Sequence, residues 1–137
     1  MMSLMASLSQ SMSMGRLATH IAQIPGWVKE TLVQDSVDIG AGFKPTDFAT
    51  REEVLAAFDK MIAVARPLID QTTDAQFMAP WTLKNNGQEV FTMPKISVLR
   101  AWVFNHTIHH RGQLSVYLRL NDVPVPSIYG PSADEAN

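Results

Sequence analysis

The segment PKISVLRAWVFNHTIHHRGQLSVYLRL, residues 94–120, predicts one long helix. Pro94 suits the first helical position, because proline lacks only an N–H that would be unpaired there. Asn121-Asp122 followed by Pro124 ends the pattern. Apolar and imidazole side chains recur along the segment at intervals of three and four, so they share one stripe of the helix. This stripe contains Ile96, Leu99, Val103, His106, His110, Gln113 and Tyr117.

The spacing of the histidines on this helix indicates a metal site. His106 and His110 lie one helical turn apart, which allows two imidazoles to hold one ion from the same face. His20 occupies the core stripe of an earlier helix and can complete a set of three. Three neutral nitrogens without a thiolate suit zinc, nickel, cobalt or ferrous iron and leave a position open for water or substrate. The alternative is that the histidines are ordinary core residues, each hydrogen-bonded to a neighbour.

Three further residues are candidates for contacts around this site. His109 lies at the flank of the stripe, where it can line a pocket. Gln113 shares the stripe, although an amide bonded to a neighbouring helix explains it equally well. Trp102 can form a pocket wall or simply pack in the core. Thr107 stands where the His-Glu-x-x-His motif of zinc proteases has its catalytic glutamate, so peptide hydrolysis is disfavoured.

Towards the amino terminus, hydrophobic residues recur at helical spacing over residues 16–37 and predict an amphipathic helix. Pro25-Gly26 interrupts the pattern, so a kink or a restart is expected there. Residues 39–49 contain two glycines and a proline and are predicted to form a loop.

A second helix and a hairpin are predicted between this loop and the long helix. Thr50 and Glu53 form a capping box, which places the start of the helix. Residues 81–83 and 90–92 flank a turn that contains Asn86-Gly87, a pair typical of tight hairpins. Two strands are marginal by themselves, so the hairpin must pack on the helices.

Length and composition limit the possible function classes. The chain has 137 residues, 46% of them hydrophobic, which fits one domain with one core. It contains no cysteine, so disulfides and thiolate ligands from the protein are excluded. The net charge is -2 and no basic run is present, which argues against nucleic-acid binding. No apolar run reaches the roughly 20 residues of a membrane span, and we expect a cytoplasmic protein.

The two ends of the chain differ in composition from the rest. Residues 1–14 are rich in Met and Ser and carry no charge, so a disordered leader or a short helix is expected. Residues 15–137 are expected to form the single domain. Its last part, residues 122–137, contains three prolines and a glycine and predicts an extended tail.

Two segments resemble a known family. The run HTIHHRGQL at residues 106–114, continuing to PVPSIYG at 124–130, resembles the carboxy-terminal signature of the DinB/YfiT-like proteins. The stretch GRLATHIA at residues 15–22 is similar to the family's other marked segment. The resemblance implies an all-α, up-down four-helix bundle, here with a small β-hairpin insertion. It also implies one divalent metal ion held by His20, His106 and His110. For this donor set we expect zinc or nickel first, with cobalt, iron or manganese as further candidates.

The resemblance further implies a function. Family relatives include metal-dependent enzymes that use low-molecular-weight thiols, such as mycothiol-dependent isomerases and bacillithiol transferases. A metal-dependent thiol S-transferase acting on a small-molecule substrate is therefore the leading hypothesis. The alternatives are a metal-dependent hydrolase and a stress-associated metal-binding protein without catalysis. The sequence does not identify catalytic residues.

The chain departs from the family pattern at its start. Family members begin with a long helix ahead of the segment that contains His20, and only the short stretch MMSLMASLSQSMSM stands there. We expect this first helix to be missing or shortened, which would expose an apolar groove. A second copy of the chain in a homodimer would cover such a groove, as would the leader. A native protein with a longer amino terminus is a further alternative.

Overall fold

A computed structural model describes residues 11–40, 42 and 46–135 of the chain. Most of the chain is helical, helices pack against one face of a small sheet, and one long helix is built from α, π and α segments. The helices are α1 (Met14–Gln23), α2 (Gly26–Val33), α3 (Arg51–Gln71), α4 (Asp74–Phe77), α5 (Lys95–Val98), a π-helical segment (Leu99–Asn105) and α6 (His106–Leu120). The strands are β1 (Ser36–Asp38), β2 (Pro80–Asn85) and β3 (Gln88–Pro94).

The sheet corrects the predicted fold class. Its strand order is β1-β2-β3, with β1 parallel to β2 and β2 antiparallel to β3. The fold is therefore mixed α/β with helices dominating, and the expectation of an all-α bundle with only a hairpin was wrong. Strand β1 has three residues, too few to produce a periodic pattern. It is held by pairing with residues 82–84, which are distant in sequence.

The first predicted helix is divided as its proline requires. Helix α1 is followed by Pro25, and α2 restarts at Gly26, so the interruption is confirmed. The second part ends at Val33 rather than at residue 37, because the chain turns there into β1. A helical pattern does not show that a non-local strand pairing will end the helix early.

The start of α3 confirms the predicted capping box. The Thr50 side chain accepts from the Glu53 N–H, and the Glu53 carboxylate accepts from the Thr50 N–H. The helix continues through Pro67 to Gln71. Its half-buried and buried side chains face α1 and α2, which both pack against it.

The predicted hairpin is present and is tied to β1 by one carboxylate. Asn86 and Gly87 have φ values of 51° and 77°, the positive angles that such a tight turn requires. Asp38, the last residue of β1, accepts from the backbone N–H groups of Gly40, Asn86 and Gly87 at 2.7 to 2.9 Å. The N–H donors of Gly40 and Gly87 hold the pKa of the Asp38 carboxyl below its ordinary value. Asp38 therefore joins the end of β1 to the hairpin turn.

Gly40 is expected to be intolerant of a side chain, because a Cβ there would overlap the backbone nitrogen of Asn86. We expect Gly40→Ala to lower the free energy of unfolding by about 1–3 kcal/mol, a usual range for overpacking. Chemical denaturation measures the change. Gly112→Ala is the control, because an added Cβ meets open space there. Since alanine favours a helix more than glycine does, this variant should raise the free energy of unfolding by up to about 1 kcal/mol. Equal stabilities of the two variants would contradict the steric argument.

The long helix begins one residue later than predicted and is not uniformly α-helical. Pro94 is the residue preceding α5, and the helix ends at Leu120 as expected. Residues Leu99–Asn105 are π-helical, so that backbone hydrogen bonds there join residues five apart instead of four apart. This segment shifts the angular position of side chains before it relative to those after it. The predicted stripe is consequently wrong at Ile96, which is exposed, whereas Lys95 is buried.

Two groups of side chains form the hydrophobic core. The first joins the helices and contains Ile24, Val28, Ala65, Leu99 and Val103. The second joins the sheet to the long helix and contains Trp81, Leu83 and Val98, with Trp27 and Trp102 packed against it. Trp27 contacts both groups. The hairpin therefore packs on the long helix, as its marginal stability requires.

Lys95 is a buried lysine that connects the long helix to the end of α2. Its ammonium group donates to the carbonyl oxygens of Leu32 at 3.2 Å and Gln34 at 2.9 Å. It also forms an ion pair with Asp35 at 3.0 Å. These contacts satisfy backbone acceptors that the end of a helix leaves free.

The ends of the chain are described in part. Residues 1–10 lie outside the described residues, so the expected leader and the expected loss of a first helix stay predictions. In the predicted tail, Asp134 forms an ion pair with Arg119 and accepts from the Val125 N–H. None of the described helices has the length and apolar character needed to cross a membrane.

Candidate metal centre

Three histidines from two helices converge between α1 and α6. His20 lies in the last turn of α1, His106 is the first residue of α6, and His110 follows one turn later. The ring centroids are 4.6 to 5.0 Å apart for the three pairs. One ring nitrogen from each residue lies within 4.8 Å of the others, so the group can hold a metal ion.

The chemistry of this group fits a divalent transition metal. All three residues offer imidazole nitrogen, and each is only half-buried. A centre with three protein ligands keeps at least one coordination position for water or substrate. Partial exposure gives a small molecule access to that position.

The orientation of His106 directs its second ring nitrogen towards His20. His106 Nδ1 lies 3.2 Å from the Trp102 carbonyl oxygen and must donate to it, since the carbonyl can only accept. In the neutral ring, Nε2 then carries the lone pair, and it lies 3.2 Å from His20 Nε2. Two imidazoles bound tetrahedrally to one ion through bonds of 2.0 to 2.1 Å have nitrogens about 3.3 Å apart. The observed separation therefore fits two ligands of one ion.

Gln113 orients His110 in the same way. His110 Nδ1 donates to Gln113 Oε1 at 2.7 Å, which leaves His110 Nε2 free to bind. Histidines that bind metals commonly donate their other ring N–H to an oxygen acceptor, which fixes the tautomer and the ring orientation. Two of the three histidines have such a partner here.

Burial and mutual repulsion favour the neutral form of two of the rings. Burial lowers the pKa of His20 below its ordinary 6.5, and positive charge on His110 and His106 would lower it further. Burial also lowers the pKa of His106, and repulsion from His110 adds to this, while the hydrogen bond to Trp102 acts in the opposite direction. Neutral imidazole is the form that binds metal. Both shifts therefore favour the form of these rings that a metal ion would bind.

The remaining candidates have different positions. His109 is exposed and its ring lies 4.9 Å from that of His110, outside the group of three. The Trp102 indole packs against Trp27 and Phe91 rather than against the histidines. Its contribution is the backbone carbonyl that accepts from His106. Residue type does not reveal this contact, because any amino acid at position 102 supplies a carbonyl.

The contact between Gln113 and His110 leads to a prediction on metal affinity. We expect Gln113→Leu to weaken metal binding by about 10- to 100-fold, the usual effect of losing an orienting acceptor. Competition with a chromophoric chelator measures the affinity. Gln113→Glu keeps an acceptor oxygen and should retain most of the metal affinity. A Gln113→Leu protein that binds metal as tightly as the parent would show that His110 needs no such support.

Comparison with known proteins gives one match over almost the whole chain. The sequence model of the DinB family matches residues 5–137. Separately, 43 residues, or 31% of this chain, are 44% identical to "Uncharacterized protein YrdA" of Bacillus subtilis (strain 168). The matched stretch spans a quarter of the length of YrdA. No solved structure matches the chain significantly. Since the family match leaves out only the first four residues, the protein belongs to the DinB family.

Proposed function

We propose that the protein binds one divalent metal ion through His20, His106 and His110 and uses it for thiol S-transfer to a small-molecule electrophile. The observation that carries this proposal is the convergence of three imidazoles from two helices in a half-buried, accessible position. Acceptors on the opposite nitrogens of His106 and His110 support it. Membership of the DinB family agrees with a metal-dependent role.

The donor set favours some metals over others. Three imidazoles with neither thiolate nor carboxylate suit zinc and nickel best, with cobalt, iron and manganese as further candidates. Carboxylate-preferring ions such as calcium and magnesium fit poorly.

The absence of cysteine from the chain determines where the sulfur must come from. With no thiol of its own, the protein must take the sulfur from a separate molecule, and the proposal assigns this part to a bound low-molecular-weight thiol. A divalent ion supplies Lewis acidity that favours thiolate over thiol at neutral pH. In the transfer, the sulfur forms a bond to the electrophilic carbon. The leaving group departs with its electron pair, and the thiol proton passes to solvent.

The protein's own residues would hold and orient the reacting groups. The α1 and α6 backbones set the positions of the three imidazoles, while Trp102 and Gln113 fix the tautomers of two of them. The half-buried position lowers the local dielectric constant while leaving one side accessible. The site thus combines pre-organised ligands with access from solvent.

An assay of metal-loaded protein with a panel of common thiols and electrophiles tests the proposal. We expect thiol consumption that matches electrophile consumption and that His106→Ala abolishes. Ester cleavage without thiol consumption would favour the alternative hydrolase. No turnover of either kind by the metal-loaded protein would contradict an enzymatic role and leave a metal-binding protein.

The homodimer also stays a prediction, in which a second copy covers apolar surface that a missing or shortened first helix would expose. Phe104 and Ile108 are exposed, lie one turn apart on the long helix and provide apolar surface at which to test it. We expect light scattering to give twice the chain mass. Ile108→Asp should shift the mass towards one chain, and a well-folded parent monomer would contradict the prediction.

A further inference from the structure

A groove of about 380 Å³ opens beside the histidine cluster, between α1 and α6. His110 belongs to both the groove and the cluster, and Gln113, which orients His110, also lines the groove. The described lining residues are Ser11, Met12, Leu17, His110, Gln113, Val116, Tyr117 and Leu120.

The described lining of this groove is mostly apolar, with polar side chains at Ser11, His110, Gln113 and Tyr117. His110 and Gln113 lie where the groove meets the cluster, and Leu17, Val116 and Leu120 provide apolar surface. None of the described lining residues carries a carboxylate, an ammonium or a guanidinium group. Small-molecule sites commonly have volumes of about 300–1,000 Å³, with apolar walls and a few polar groups that fix orientation. The groove therefore fits a small apolar group, and none of its described lining residues carries a formal charge that would pair with a charged one.

One hydrogen bond fixes the outer wall of the groove. The Tyr117 hydroxyl donates to the Met12 carbonyl oxygen at 2.7 Å, which ties the segment before α1 to α6. The hydroxyl is thereby occupied and is not a free donor for a ligand. Among the described lining residues, the polar side chains left to hydrogen-bond a ligand are those of His110 and Gln113 at the cluster and that of Ser11.

We propose that this groove binds the apolar portion of the electrophile, so that the substrate class is a neutral alkyl or aryl electrophile. The inference rests on the proposed function for the reaction itself. It adds that the apolar group lies along α6 between Leu17 and Leu120, and that the reacting carbon lies at the His110 end. A charged electrophile would lose hydration in this groove without gaining an oppositely charged side chain among the described lining residues.

The test is direct binding of straight-chain 1-alkanols of four to eight carbons to the full chain, followed by NMR. We expect affinity to rise about three- to fourfold with each added methylene, as burial of apolar surface predicts. Shift changes should concentrate at Val116 and Tyr117. Val116→Asp should weaken 1-octanol binding at least tenfold. This variant should fold, because Val116 is 59% exposed.

The matched control is Val90→Asp, which places the same charge on an exposed valine of β3 away from the groove. It should bind 1-octanol as the parent does. Affinity that does not depend on chain length, or equal binding by parent and Val116→Asp, would overturn the proposal. A parent dimer that Val116→Asp dissociates, with no alkanol binding, would also overturn it, because a second copy would then occupy the groove.

The binding experiment separates this inference from the proposed function. Alkanol binding in the groove without thiol consumption in the panel assay would support the groove and reject S-transfer. Thiol consumption with kcat/KM independent of the alkyl length of the electrophile would support S-transfer and reject the groove. If S-transfer and apolar binding in the groove are both correct, kcat/KM should rise with the alkyl length of the electrophile in the parent protein but not in Val116→Asp.

Discussion

Replacing His106 or His20 by alanine is expected to remove most of the bound metal. The parent should hold about one divalent ion per chain after purification, and each variant should hold far less. The reason is geometric, because His106 Nε2 and His20 Nε2 lie 3.2 Å apart and neither helix alone supplies three ligands. Loss of a ligand should weaken affinity by more than the roughly 10- to 100-fold expected for an orienting partner.

Elemental analysis of parent and variant proteins measures this effect, and His109→Ala is its matched control. His109 is adjacent in sequence to His110 but exposed and outside the group of three, so its loss should leave the metal content unchanged. Circular dichroism establishes that each variant is folded. Full metal retention in folded His20→Ala would show that α1 supplies no ligand, and the proposed chemistry would then lose its site.

Replacing Lys95 by alanine is expected to destabilise the fold by about 2–4 kcal/mol, since hydrogen bonds from a charged group are the stronger ones and two partly buried hydrogen bonds are lost. Lys95 is 6% exposed, and its ammonium group donates to two carbonyl oxygens at the end of α2. The ion pair with Asp35 adds little, because that carboxylate is 90% exposed. The backbone contacts therefore account for most of the expected loss.

Denaturant unfolding of three variants distinguishes these contributions. Lys95→Met keeps the apolar stem and should still be destabilised, which assigns the loss to the ammonium group. Asp35→Asn should change the free energy of unfolding by less than about 1 kcal/mol. Lys29→Ala, at an exposed lysine of α2, should change it by no more than about 0.5 kcal/mol. If Lys95→Ala were as mild as Lys29→Ala, the buried contacts would contribute no net stability.

Features that depend on neighbouring residues could be predicted well. The capping box of Thr50 and Glu53, the restart after Pro25 and the Asn86-Gly87 turn were all anticipated, because each is decided within a few residues. The three histidines were selected for a related reason. A spacing of four residues on a helix brings two imidazoles together whatever the rest of the chain does. The family resemblance then named the same three residues.

Features that depend on distant contacts could not be predicted in this way. Strand β1 exists only because Ser36 to Asp38 find partners in β2, and this pairing makes the fold mixed rather than all-α. The π-helical segment reverses the expected burial of Lys95 and Ile96 although nothing in the local pattern indicates it. The acceptor for His106 is a backbone carbonyl, a group that every residue type carries.

The amino-acid sequence, through short-range interactions, was thus enough to define the helix starts, the turn and the metal-ligand candidates of this protein. The folded chain alone decided that His20 meets His106, that Lys95 is buried against α2, and that an apolar groove lies next to His110. The physical reason is the separation along the chain of the residues that each interaction joins. Capping, turn formation and helical periodicity act over a few residues, whereas burial and strand pairing join residues that are far apart along the chain.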